Sequence, residues 1–455
     1  MGVLDALAAI ADRFPTVEKP VPRPSLYRRL AWTGIILVLY LVMANIPLYG
    51  IPAQATETRV SLQRIIFASS AGSLMELGIG PIVTAGLILQ VLVGAKLIDI
   101  DLNDPEARKK FTAAQKSLAI LFAIFEATMY VIGEKYWVGS GIHPSWTTKI
   151  LVITQLSFAA FLVQLFDEML QKGWGIGSAI SLFILSGVAY QVFWSLLGYV
   201  PRIAETYGFI PALLKERSLI LIARPNGYPD LTGLLATIAI ILFLVYVQAM
   251  RVEIPVTSAR LRGIRTRVPL QFMYVTNIPI LLVGILVSDL QLFNGIIQNL
   301  AGPGSKWAHY YSTMVHYVSP PRGIIPALSD PLRTLVFAVS WTIMAVLFGY
   351  MWVELAGLNP SDQAERLVKS GMEVPGMRRN PRILEGILAK YIYPLTLLSS
   401  LIVAAIAIAA DIFGAYGTGT GILLAVGIIN QYYTMISYER ALETYPLLRK
   451  LLGEG

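Results

Sequence analysis

Apolar residues run along this chain in long stretches separated by polar or charged connections. A helix needs about 20 largely apolar residues to cross the hydrocarbon core of a bilayer. By that measure the pattern predicts ten spans, near 31–49, 79–98, 113–133, 149–170, 176–198, 232–250, 270–290, 331–355, 391–411 and 419–438. The second is the least regular, because it follows a shorter apolar piece and begins at Gly80-Pro81. Ten spans divide as five and five about the polar connection 199–231. An odd number in each half sets the halves in opposite orientations, the topology of an inverted repeat with a pathway at the interface of the halves. The symmetry is inferred from parity, since no strong residue identity links the halves. The expected fold class is an all-α polytopic membrane protein of ten transmembrane helices in two inverted five-helix halves. Its expected divisions are an N-terminal cytoplasmic segment 1–30, an N-terminal half 31–198, an external connection 199–231, a C-terminal half 232–438 and a cytoplasmic tail 439–455.

Composition agrees. The chain has 455 residues, 55% hydrophobic and 14% charged, with mean hydropathy +0.63, whereas soluble domains carry about 25% charged residues. The absence of cysteine excludes disulfide scaffolds, zinc–thiolate sites, iron–sulfur clusters and thiol nucleophiles. His143, His309 and His316 fall in polar connections, which argues against a histidine-rich metal site or a buried proton relay.

Lys and Arg in the connections set orientation. With a cytoplasmic N-terminus, one side collects five in the N-terminal segment, five in 96–116, Lys172, five in 251–269, six in 356–390 and three in the tail, 25 of the 36. Both termini are therefore expected in the cytoplasm, as an even number of spans also requires. The first 20 residues do not read as a secretory signal, because Asp5 precedes the first basic residue, Arg13. Leu4, Leu7, Ala8, Ala11 and Phe14 share one helical face, which predicts a short helix on the membrane surface.

Ionisable groups within spans are few. Glu126 lies mid-span in FAIFEATMYV, and Asp167, Glu168, Asp289, Glu354 and Asp411 lie near predicted ends. Intramembrane acids are functional candidates by default, although Glu126 is equally compatible with a hydrogen-bonded packing role. No HExxH, GxSxG, Walker or GxGxxG motif occurs in a suitable context, so neither an enzyme nor a cofactor is expected. The segment 60–80, VSLQRIIFASSAGSLMELGIG, is too short and polar to cross lipid. Irregular backbone at membrane depth is tolerated only against protein or a water-filled cavity, which predicts a re-entrant element; an exposed surface helix is the alternative. The connection 251–269 places Arg260, Arg262, Arg265 and Arg267 within eight residues, and 356–390 adds Arg378-Arg379 and Arg382. Each alone satisfies the positive-inside rule or an attraction to anionic lipid. Two such cationic connections on one side suit a large polyanion, because arginine's planar fork fits phosphate.

Several stretches resemble the SecY family, the alpha subunit of the protein-conducting channel, and most closely its archaeal and eukaryotic branch. They are LGIGPIVTAGLILQVLVGAKLI at 77–98, DEMLQKGWGIGSAISLFI at 167–184, RVEIPVTSARLRG with VPLQFMYVTNIPIL at 251–282, and GTGTGILLAVGI at 417–428. Their order and the span count extend the resemblance over nearly the whole chain. It implies a central pore with a re-entrant plug helix, sealed by a ring of Ile79, Val83, Ile180, Ile184, Leu281 and Leu424. All six are aliphatic here, and a narrow apolar collar blocks ions by dewetting. It also implies a plug over 60–75, including Arg64, Ile65, Phe67, Ala68, Ser69, Ser70, Gly72 and Leu74, with Arg64 facing the outer vestibule. A lateral gate between spans 2 and 3 and spans 7 and 8 would carry the polar cluster Thr84, Glu126 and Asn277. Arg260, Arg262, Arg265, Arg378 and Arg379 would bind the ribosome through ribosomal RNA phosphates.

The implied partners are a SecE-type (gamma) subunit, a Sec-beta-type subunit, the ribosome, signal sequences and nascent polypeptides, and membrane lipid. The implied location is the cell membrane, or the endoplasmic reticulum membrane in a eukaryote. A secondary transporter of a small solute, using Glu126, is the competing reading.

Overall fold

The computed structural model describes residues 3–11, 13–22, 24–52, 68–94, 97–98, 100, 104–133, 136–137, 144–198, 207–216, 221–224, 228–258, 264–275, 277–301, 305–369, 372–373 and 381–444; of residues 3, 216, 254–258, 264–268, 299–300, 372–373 and 381 it gives the backbone alone. In chain order the helices are α1 (Val3–Ala11), α2 (Leu26–Asn45), α3 (Gly80–Gly94), α4 (Pro105–Ile132), α5 (Trp146–Gln171), α6 (Ala179–Leu197), α7 (Phe209–Glu216), α8 (Leu231–Ala249), α9 (Ile278–Ala301), α10 (Lys306–Val318), α11 (Ile324–Ser329), α12 (Pro331–Leu355), α13 (Pro360–Lys369), α14 (Pro381–Ile412) and α15 (Gly419–Thr444).

Eight described helices are long and apolar enough to cross a membrane: α2, α4, α5, α6, α8, α9, α12 and α14. The other two expected spans differ in character. Helix α3 has only 15 residues, and α15 has 26 but follows its apolar start with Asn430, Gln431 and the charged pair Glu439-Arg440. The spanning helices expose apolar faces, such as Ile35, Val38 and Val42 on α2 and Leu335, Val339 and Ile343 on α12. Such continuous outward-facing apolar surface belongs against lipid rather than water.

Helix starts follow local chemistry. Asp104 accepts from the backbone N–H of Glu106 and Ala107 ahead of Pro105, and Asp230 and Asp330 cap α8 and α12 in the same way. Such caps satisfy N–H groups that the helix itself leaves open.

The fold is not wholly helical. Strands β1 (Arg251–Ser258) and β2 (Ile264–Gln271) pair antiparallel from Arg251↔Gln271 to Ser258↔Ile264, and β3 (Met372–Glu373) adds to the other edge of β1. The expected basic connection 251–269 is thus largely a β-hairpin, and the seventh span begins at Ile278 rather than near 270. Val252, Ile254 and Val256 alternate with other residues along β1, a period of two that favours strand over helix. The base of the hairpin packs Val252, Leu270 and Phe272 against a cluster containing Val353, Leu384 and Leu388, and the Tyr274 hydroxyl donates to the Leu358 carbonyl at 2.6 Å.

Helix α1 packs on α4, with Leu4, Leu7 and Ala8 half-buried and Ala11 buried. Ser117 Oγ donates to the Leu7 carbonyl at 2.7 Å, Lys110 pairs with Asp5 at 3.4 Å, and Phe14 meets the Phe161 ring on α5. The segment that follows is held by donations from Lys116 to Pro15, Lys172 to Val17 and Trp174 to Glu18, all on backbone carbonyls. At this N-terminal end of the molecule, Arg29 pairs with Glu439 at 2.6 Å, and Glu168 bridges Lys116 and Lys172.

The largest buried cluster lies where α2, α3, α6, α9, α14 and α15 meet. At the far end, Tyr416 closes a second cluster with Phe209, Ala212 and Leu221, and its hydroxyl donates to the Asp230 carbonyl at 2.7 Å.

Candidate functional site: an aliphatic ring, a re-entrant segment and a polar seam

Six aliphatic side chains from four helices and the turn before α3 share the central cluster. Ile79, Ile184 and Leu424 are buried in it, and Val83, Ile180 and Leu281 pack against it half-buried. Each sits near the start of its helix, so the helix N-terminal segments, rather than their middles, converge here. Asp167 helps to fix α6 in this position. Its carboxylate accepts from Ser178 Oγ at 2.6 Å, from Gln171 Nε2 at 2.6 Å and from the Ile180 N–H at 3.3 Å. Asp411 does the same for α15, accepting from the Gly419 N–H at 2.8 Å. Both acids, flagged by the sequence as intramembrane, are hydrogen-bonded fasteners of the helices that carry the ring. Burial lowers the pKa of Arg322, while the nearby Asp411 carboxylate opposes that fall.

The re-entrant segment is described from Ala68 onward; Arg64, Ile65 and Phe67 lie outside the described residues. From 68 to 79 it consists of turns and bends, and most of the expected plug helix over 60–75 lies outside the described residues. Gly72 and Gly78 take positive φ, and so does Ala68 at 48°, a region costly for a residue with a Cβ. The turn is nonetheless tightly bonded. Ser73 Oγ accepts from the Met75 N–H and donates to the Ser70 carbonyl, and the Glu76 carboxylate accepts from the Gly72 N–H. Leu48 N–H donates to Gly72 and Leu74 N–H to Ile46, tying the segment to the end of α2. Ser69 and Ser70 are half-buried. Ala68 and Met75 are each 1% exposed and lie in the same cluster as the six aliphatics. Tyr40 stacks on Phe183 at 4.3 Å and donates its hydroxyl to the Ala68 carbonyl at 3.0 Å, so this end of the segment is pinned beside the ring.

The three expected seam residues are all buried, Thr84 on α3, Glu126 on α4 and Asn277 just ahead of α9. Thr84 and Asn277 bond in different directions. Thr84 Oγ1 donates to the Asp289 carboxylate on α9, with oxygen–oxygen distances of 3.3 and 3.5 Å. Asn277 Nδ2 instead donates to the Leu423 carbonyl on α15 at 2.5 Å and lies where a Cβ on Gly427 would have to sit. Asn277 therefore fastens α9 to α15 beside Leu424 of the ring, and Asp289 is the α9 partner across the seam. The apolar pattern alone places Asp289 near a span end. With α9 running from Ile278 to Ala301, it falls mid-helix. The missing signal is the helix start, displaced by the hairpin.

Helix α3 reaches across the seam to α9 and α12. Where the C-terminal ends of α3 and α12 meet lies a cavity of about 310 Å³ lined by residues including Val91, Tyr350, Met351, Glu354 and Tyr393. Glu354 there accepts from Asn359 Nδ2 at 3.1 Å.

Of the basic positions, Arg260, Arg262, Arg378 and Arg379 lie outside the described residues. Arg265 stands in β2 opposite Thr257, where only its backbone is described.

Comparison with known proteins gives this arrangement a lineage. The SecY family pattern matches residues 73–433, and that of the plug domain of Sec61p matches residues 38–72. The protein translocase subunit SecY of Aeropyrum pernix is 64% identical, covering 100% of this chain and 99% of its own length. That of Saccharolobus solfataricus is 46% identical over the full length of both. Among solved structures, one described as a protein conducting channel superposes with a TM-score of 0.78 at 36% identity, covering 95% of this chain and 97% of that one. Sec61 in a canine ribosome–channel complex from the endoplasmic reticulum does so at 0.75 and 35%, with the same coverage. The six clustered aliphatics, the bonded turn at 68–79 and the Thr84–Asp289 contact thus stand in a chain that belongs to the SecY family.

Proposed function

We propose that this multi-pass membrane protein is the pore-forming subunit of a protein translocation channel, passing polypeptides across the membrane and releasing hydrophobic segments sideways into lipid. One observation carries the reading most directly: the re-entrant segment's Ala68 and Met75 are buried in the same cluster as all six aliphatic ring residues. That is the arrangement a stoppered collar requires. Ile79, Val83, Ile180, Ile184, Leu281 and Leu424 form the collar, which excludes ions by dewetting and yields around a chain because it offers no specific bonds. The segment 60–75 is the plug.

Helices α3 and α4 on one side and α9 and α12 on the other form the lateral gate, with Thr84, Glu126 and Asp289 as its polar members. A segment exposed there partitions by its own hydrophobicity. Leu or Ile at mid-depth favours insertion by about 0.3–0.6 kcal/mol each, while a charge costs about 2.5–3.5 kcal/mol. The channel supplies access and no chemistry, so it is not an enzyme.

The N-terminal end of the molecule faces the cytoplasm, as the basic connections require. Ten crossings in two inverted halves follow if α3 and α15 count as spans. Arg260, Arg262, Arg265, Arg378 and Arg379 of the two basic connections bind ribosomal RNA, and SecE-type and Sec-beta-type subunits complete the complex. The ribosome-bound state of the canine relative supports that docking. The test is ion conductance in reconstituted bilayers. Ile180→Gly with Ile184→Gly opens a leak in the resting complex; conductance equal to that of the parent protein overturns the collar.

A further inference from the structure

Helix α10 carries three faces rather than two. Ala308, Tyr311 and Val315 turn toward the protein. Lys306, His309, Thr313 and His316 form an exposed polar face. Between them runs a third stripe, Trp307, Tyr310 and Met314, spaced three and four residues apart so that they stack along one line of the helix. These are 82%, 66% and 44% exposed. A large aromatic stripe in full exposure beside a polar face is the pattern of a helix lying at a membrane interface.

The helix is not free to turn the stripe elsewhere. Tyr311 donates its hydroxyl to the Leu290 carbonyl of α9 at 3.1 Å, and Gln291 Nε2 donates to Ser319 Oγ at 2.8 Å. On the other side, Trp341 Nε1 donates to the Val318 carbonyl at 3.0 Å and Arg333 Nε to the His316 carbonyl at 3.1 Å. Burial, and then the neighbouring Asp289 carboxylate, hold the Tyr311 phenol above its ordinary pKa, which keeps it a donor.

Where the helix sits also fixes its depth. It follows α9 and packs alongside both α9 and α12, meeting them at Leu290 and Trp341. Helices α10 and α11 both pack against α12, and Ile325 and Leu328 of α11 and Leu332 and Leu335 of α12 are exposed apolar side chains as well.

We infer that α10 is a membrane-interface anchor, its Trp307–Tyr310–Met314 stripe seated in the lipid headgroup–acyl boundary at the end of the molecule opposite the N-terminus. The occupant is lipid because the stripe stands on a helix packed against the spanning helices α9 and α12, beside further exposed apolar side chains, and carries the aromatic residues that the interface favours. The anchor fixes the depth of the ends of α9 and α12. It depends on the membrane location of the chain but not on what the channel conducts.

The chain contains no cysteine, so single-cysteine spin labels report without background. Labels placed one at a time from 306 to 316 are read in the complex reconstituted into phosphatidylcholine–phosphatidylglycerol vesicles, by collision with oxygen, which enters lipid, and with a water-soluble nickel chelate. The oxygen-to-nickel ratio is expected to peak at Trp307→Cys, Tyr310→Cys and Met314→Cys and to dip at His309→Cys and Thr313→Cys, with a period of about 3.6 residues. A flat, nickel-accessible profile places the stripe in water and overturns the anchor. Protection of the stripe from both reagents, meaning that a protein partner covers it, overturns it equally. These positions are exposed, and Ala308→Cys, which faces the protein, serves as the immobile reference against which folding is judged.

Discussion

The Thr84–Asp289 contact decides what kind of gate the seam can be. At 3.3–3.5 Å it is at the long edge of hydrogen-bonding distance, and interhelical hydrogen bonds in membranes average only about 0.6 kcal/mol. Such a pair biases the closed state without locking it. Removing one partner strands a buried polar group, whereas replacing both with apolar residues restores packing. Thr84→Val alone is therefore expected to lower the hydrophobicity a signal sequence needs, and Thr84→Val with Asp289→Leu to raise it again to or beyond the parent level. A translocation assay with reporters of graded leucine content reads both; additive effects of the two substitutions would remove the pair from the gate. Asn277→Leu breaks a bond to the Leu423 backbone instead, so it is expected to disturb the ring more than the threshold. Chemical type is legible at these positions: acids and amides in apolar runs stand out. The pairing is not, because it depends on where α9 begins. An error of about eight residues in that start, roughly two helical turns, moves Asp289 from mid-helix to an end.

At the scale of elements, the hairpin and α1 show two different limits of a one-dimensional pattern. The alternation of Val252, Ile254 and Val256 is present in the sequence, but the density of arginine points as readily to an irregular basic loop. Charge and strand period are compatible, since a two-stranded arm carries cations as readily as a coil does. Reversing Arg260 and Arg262 to glutamate is expected to weaken ribosome binding and to flatten its dependence on salt, by a slope of about 0.7 for each phosphate no longer neutralised if the RNA behaves as single strand. Titrations at several salt concentrations test this, and an unchanged slope would separate the arm from RNA. Helix α1 poses the opposite difficulty. Its apolar face is legible, but hydrophobicity does not distinguish lipid from protein as the partner. Lys116, Lys172 and Trp174, which capture its trailing carbonyls, cannot be matched to them from sequence. Ser117→Ala removes one bond to Leu7 and is expected to cost about 1 kcal/mol, read as faster proteolysis within the first 20 residues with conductance unchanged. An unaltered cleavage rate would mean that the bond adds nothing to docking.

On the proposed reading the whole molecule combines two barriers that act in series, and they are separable. The proposed collar draws on helices from both halves and persists whenever those helices meet. The plug end is held beside it by Tyr40, whose hydroxyl reaches the Ala68 carbonyl while its ring stacks on Phe183. Tyr40→Phe keeps the stack and deletes the bond, about 1 kcal/mol or roughly fivefold in an equilibrium. The resting channel should then open more often with unchanged single-channel conductance, because the collar still limits flow. Ile180→Gly with Ile184→Gly changes the other variable, raising the conductance of each opening. Single-channel recording distinguishes frequency from amplitude. If both variants altered amplitude alone, the plug contact would contribute nothing to closure, and the seal would be the collar's entirely. The series arrangement also explains why length and parity bring the architecture out of the sequence while the seal comes only by resemblance. Spans announce themselves by runs of about twenty residues, but nothing along a run of isoleucines and valines tells a lipid-facing side chain from one that closes a pore.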